Sequence, residues 1–177
     1  MPDFLSPSAP LRSPGNRVAQ GMLLLAGAVL LELTAGADRV PFYWTPLVLG
    51  LTYLVAALVD GPAGGYWATA LGLTGWGLAV VVMGRLRPED IDTAGAYLLG
   101  VGLAGVVAAV LRTRGFAVSE VGFAATVAAG GAVLALTPRV DAFDDATTYA
   151  VALGLVGLGN LLLGALSLTR ARRTTEG

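Results

Sequence analysis

Six apolar runs, each close to the length of a bilayer-crossing helix and separated only by short charged loops, dominate this chain. A helix needs about 20 consecutive apolar residues to cross the hydrocarbon core of a membrane. The runs fall at 17–36, 42–59, 66–84, 93–111, 118–137 and 146–169, and little polar chain remains from which to build anything else. In lipid every backbone polar group must be satisfied within the segment, so runs of this length are helices and not barrel strands. The expected fold is all-α: a polytopic integral membrane protein, a six-helix transmembrane bundle with short loops. Its domain, 17–169, is preceded by a Pro-rich tail, 1–16, with Pro2, Pro7, Pro10 and Pro14 set against regular structure, and followed by an Arg-rich tail, 170–177.

Composition narrows the chemistry. Hydrophobic residues make up 55% of the chain and charged residues 13%, with a net charge of −1, so no bulk charge attracts nucleic acid. Cysteine and histidine are both absent. That removes disulfides, thiolate nucleophiles, Cys/His zinc sites, histidine-ligated haem and histidine proton relays. No cofactor motif, catalytic constellation or metal-ligand spacing stands in the sequence.

All eleven basic residues are arginines, and they set the expected orientation. With the N-terminus inside, Arg12, Arg17, Arg112, Arg114, Arg170, Arg172 and Arg173 are cytoplasmic, while Arg39, Arg85, Arg87 and Arg139 are external. The excess places both termini in the cytoplasm, in the plasma membrane. The terminal Arg170-Ala171-Arg172-Arg173 suits anionic headgroups. Phe42, Tyr43 and Trp44 at one interface and Tyr66 and Trp67 at the other read as membrane anchors. Arg12 and Arg17, the first apolar run and Ala35-Gly36-Ala37 before Asp38 also fit a secretory signal. Against that reading stand the length of the run and Glu32 near its end.

Glycine is the next signal, at 25 of 177 residues, because small residues let helix backbones approach closely in lipid. Small-xxx-small pairs occur at Ala96/Gly100, Gly105/Ala109, Thr126/Gly130 and Ala150/Gly154, and the sixth run adds Gly157, Gly159 and Gly164. The plain reading is tight packing within one bundle. The sharper one is a glycine-rich face on the fourth or sixth run that meets a membrane-protein partner or a second copy.

Glu32 is the acid embedded in an apolar run, where a charge needs a partner or water. Arg39, Arg85 and Arg139 are the candidate partners on its side. The functional reading is a protonatable coupling site, and the structural one a salt bridge or a side chain reaching the interface. Counting depth along each run puts Tyr53, Trp76 and Asn160 near the midplane, with Thr52, Thr74 and Thr126 at similar depth and Gly27 and Gly102 beside them. These side chains either converge on a midplane polar pocket, as in transporters, or act as separate interhelical hydrogen-bond glue.

The outer loops carry Pro88-Glu89-Asp90-Ile91-Asp92 and Asp141-Ala142-Phe143-Asp144-Asp145. Helix capping accounts for Asp92, Asp144 and Asp145 without metal, and Ser119 and Glu120 open the fifth helix in the same way. Among functions, an enzyme is the least supported class. A structural or accessory component of a membrane complex is the first expectation. A small-solute or ion transporter using Glu32 and the midplane residues is the alternative.

Overall fold

Helices form where the apolar runs lie and stop where glycine, proline or clustered charge interrupts them. The structure, a computed structural model, describes residues 14–37, 39–86, 91–136 and 139–175, and of residues 14, 135, 136, 144 and 170–175 the backbone alone. Six helices follow in chain order: α1 (Pro14–Leu31), α2 (Thr45–Asp60), α3 (Trp67–Leu86), α4 (Thr93–Thr113), α5 (Glu120–Leu136) and α6 (Ala146–Thr175). There is no strand among the described residues. Five helical segments are long and apolar enough to cross a membrane, and α5 is a shorter apolar helix.

Element ends are set locally. α1 begins at Pro14, three residues before the expected start, where proline in the first turn loses no intrahelical bond. Residues 1–13 of the expected tail lie outside the described residues. α6 continues to Thr175, through the arginine segment that the sequence reading sets beyond the span. Asp92 caps α4, its Oδ2 accepting from Gly95 N–H at 2.6 Å. Ser119 Oγ accepts from Gly122 N–H at 3.0 Å, and Asp145 Oδ1 from Thr147 N–H at 3.0 Å. Glu120, expected to share in opening α5, is its first residue, and its carboxylate also pairs with Arg112. The side chain of Asp144 lies outside the description.

The helices run up and down, so successive turns alternate between two ends. At the N-terminal end the α2–α3 and α4–α5 turns contain Gly61 and Gly115, whose φ angles of 76° and 86° suit a residue without a Cβ. These two turns are tied together. Ala117 N–H donates to Pro62 O at 2.7 Å, Trp67 Nε1–H donates to Gly61 O at 2.9 Å, and the Trp67 and Phe116 rings meet edge-on at 4.9 Å. At the opposite end Phe42 lies against Tyr149, whose hydroxyl donates to Phe143 O at 2.6 Å.

Laterally the order is α6, α1, α2, α3, with α4 and α5 each packed on α3. Glycines permit the close crossings. A Cβ built at Gly75 would lie 2.6 Å from Gly100 O, and one at Gly100 would lie 2.5 Å from Gly75 O, so α3 and α4 touch backbone to backbone. Gly21 and Gly157 do the same for α1 and α6, and Gly50 lets α2 sit against the backbone of α3 at Thr74. The Gly100, Gly154, Gly157 and Gly164 positions of the fourth and sixth runs therefore face neighbours in the same chain, whereas Gly102 and Gly159 face open space.

The result is uneven. The α6–α1–α2–α3 row carries most of the core, with Leu24, Leu31 and Ala56 fully buried. Of the α3 span 44% is buried, against 11% of the α4 span.

Candidate functional site

Glu32 occupies the first position of a five-residue π turn, Glu32–Gly36, that closes α1. Thr34 drives the distortion, since its Oγ1–H donates back to Leu30 O at 2.7 Å while its own carbonyl accepts from Arg39 N–H at 2.8 Å and Val40 N–H at 3.2 Å. Widened turns of this kind recur at functional sites. Here, however, the turn leaves the Glu32 side chain exposed, folded back over Gly36. Among the described residues none of Arg39, Arg85 or Arg139 forms an ion pair with it.

The midplane residues are distributed over three different places. Tyr53 of α2 meets Tyr66 at a tilt, with ring centroids 5.5 Å apart, at the junction of the two core clusters around Ala57 and Leu24. Trp76 of α3 lines a cavity walled by α3, α4 and α5, and its buried Nε1–H has no acceptor among the described residues. Asn160 lies on α6, where its Nδ2–H donates to Val156 O one turn back in the same helix. No residue of α6 lines the Trp76 cavity, so the three side chains do not share a pocket. Thr74 Oγ1 is buried without a partner among the described residues, whereas the other two threonines bond within their own helices. Thr52 Oγ1–H donates to Val48 O and packs its side chain onto Gly27, and Thr126 Oγ1–H donates to Gly122 O, 3.4 Å being left to Thr69 Oγ1. Such internal bonds satisfy a hydroxyl without any ligand.

Gln20 and Thr45 are the buried polar residues, among those described, that the sequence reading passes over, and Gln20 is the larger. It is fully buried in α1, Nε2–H reaching Ala56 O on α2 at 3.4 Å, while Oε1 meets no donor among the described residues. Asp60, half-buried at the end of α2 beside Gly64, is the other polar side chain set into this end of the bundle. One available signal was positional: Gln20 sits one turn before Leu24 on the face that also carries Ala28 and Leu31, all of them buried.

Three largely apolar spaces border α4. A cavity of about 130 Å³ lies between α3, α4 and α5, bordered by Trp76, Tyr97, Thr126 and Gly131. A larger one of about 630 Å³ lies between the N-terminal-end halves of α4 and α5, with Phe123 and Ala108 inside and Arg112 and Glu120 at its mouth. On the other flank of α4 a groove of about 750 Å³ runs along α3, lined by Leu78, Val82, Leu99 and Leu103. Among the described residues no group of acids is placed to hold a metal ion. Arranged this way, the side chains can pack and bind apolar surface. Comparison with known protein families, with curated proteins and with solved structures finds no match for this chain.

Proposed function

We propose that this chain is a six-span integral protein of the plasma membrane, both termini cytoplasmic, that serves as a non-catalytic accessory component of a membrane complex. Carrying this reading is the exposure of α4: its span is 11% buried against 39%, 33% and 44% for α1, α2 and α3, and it presents Leu98, Leu99, Leu103 and Val106 outward with more than half of each exposed. In a membrane that flank meets lipid or another helix. The groove along α3 and α4, with glycine and alanine on its floor, has the form that a neighbouring transmembrane helix packs into. The separation of Glu32, Tyr53, Trp76 and Asn160 supports this reading over transport.

Affinity purification from native membranes, with mass spectrometry of the co-purifying material, tests it. The expected result is a stoichiometric membrane-protein partner that is lost when Leu99 and Leu103 are changed to tryptophan. Isolation as a defined monomer would overturn the accessory reading. The orientation is tested separately, and the absence of native cysteine makes the labelling direct. Ala142→Cys should react with an impermeant maleimide applied outside whole cells, and Ala63→Cys, exposed in the α2–α3 turn, should not. The reverse pattern would invert the topology.

A further inference from the structure

α5 is docked far more firmly at its start than at its end. A Cβ built at Gly122 would lie 3.3 Å from Ala68 Cβ, and one at Gly72 would lie 3.2 Å from Thr126 Cγ2 and 3.7 Å from the Phe123 ring. Thr126 Oγ1 lies 3.4 Å from Thr69 Oγ1, and Glu120 pairs with Arg112 of α4. The turn leading into this end is itself tied down, by Ala117 N–H on Pro62 O and by the Phe116 ring on Trp67.

Beyond Thr126 the packing thins. The Cβ position of Gly130 is 3.9 Å from the edge of the Trp76 ring, and that of Gly131 has nothing within 4 Å. Between this half of α5 and its neighbours α3 and α4 lies the cavity of about 130 Å³, with Gly130, Gly131 and Leu134 in its wall. Empty space forfeits the dispersion contacts that hold helix on helix. Segments with few buried apolar contacts are the ones that open locally.

Two further features favour opening. Adjacent glycines weaken the helix where the contacts run out, and small residues serve as hinges. The closed arrangement also leaves Trp76 Nε1–H buried with no acceptor among the described residues, and an unpaired buried donor favours any state in which it finds one. Gly130 is six residues from the end of α5 at Leu136, about 9 Å at the helical rise, so opening from that end gives water a short way to the indole.

We infer that the last two turns of α5, residues 130–136, form a hinged lid over the Trp76 cavity, opening and closing as a unit at Gly130-Gly131 while 120–126 stays docked. The device is independent of what packs along the α3–α4 groove.

Residue-resolved hydrogen exchange by nuclear magnetic resonance, on the full chain in detergent micelles, tests this. Amides 131–136 should share one protection factor, at least about tenfold below that of amides 123–126, and Trp76 Nε1–H should exchange along with them. Gly130→Ala/Gly131→Ala should raise that shared protection about tenfold, because alanine favours the helix at both positions and neither methyl group is obstructed. Gly131→Ala alone, entering open space, should act in the same direction. Trp67 Nε1–H, which donates to Gly61 O, is the control and should not respond. Protection that falls residue by residue toward Leu136, with the Trp76 indole unaffected, would mean simple fraying of a helix end. Uniform protection along 120–136 would mean a rigid helix. Either result, or no response to the alanines, overturns the inference.

Discussion

Two glycines on one helix, two residues apart, offer the sharpest test of how α4 is seated. A methyl group added at Gly100 falls 2.5 Å from Gly75 O and 2.7 Å from Ala79 Cβ, well inside the 3.4 Å at which ordinary contact begins. The carbonyl belongs to the α3 backbone, so relief requires the two helices to separate. Overpacking of this kind costs about 1–3 kcal/mol. Alanine recovers about 0.5–1 kcal/mol of it through better helix propensity. Gly102→Ala has that gain alone, because nothing lies within 4 Å of the new methyl group. The two variants should therefore differ by about 1–3 kcal/mol, Gly100→Ala being the less stable. Unfolding in mixed micelles with increasing dodecyl sulfate, followed by far-ultraviolet circular dichroism, reads the difference directly. The parent sits between the two. If Gly100→Ala is as well tolerated as Gly102→Ala, α3 and α4 do not cross at Gly75 and Gly100.

Three further outcomes follow from single contacts. Asp92→Ala removes the acceptor for Gly95 N–H and should cost about 1 kcal/mol in the same unfolding assay, while Asp92→Asn keeps the cap and most of the stability. Gln20→Leu replaces a buried amide whose Oε1 meets no donor, and should leave stability within ~0.5 kcal/mol or raise it. A loss above ~1 kcal/mol would show that Gln20 holds a partner. Glu32→Gln alters an exposed carboxylate without an ion pair among the described residues, so the unfolding midpoint should not move, and proteoliposomes of parent and variant should show no pH-dependent flux. A flux in the parent that disappears in the variant would favour the transporter.

What was legible in the sequence is what depends on position along a helix axis. The apolar runs mark the six helices closely except at the C-terminal end of α6, which continues to Thr175, and the capping residues Asp92, Ser119 and Asp145 announce helix starts by local hydrogen bonding alone. Depth is also readable, because it is counted along the chain. Rotation about the axis is not. A soluble helix reveals its buried face by polar residues on the other side, but a helix that is apolar all round offers no such contrast. α5 is the extreme case, since Val121, Val127 and Leu134 are exposed although nothing in their chemistry distinguishes them from core residues. Equal depth thus placed Tyr53, Trp76 and Asn160 at one level without placing them in one pocket. Conversely, Gln20 is buried because α1 lies between α6 and α2, an order decided by which glycines meet. With 25 glycines in the chain, many pairings satisfy the same spacing rule, and only the three-dimensional arrangement selects Gly21 with Gly157 and Gly75 with Gly100. That selection seats α4 on α3 and keeps it apart from α5, and the apolar seam between them is the consequence.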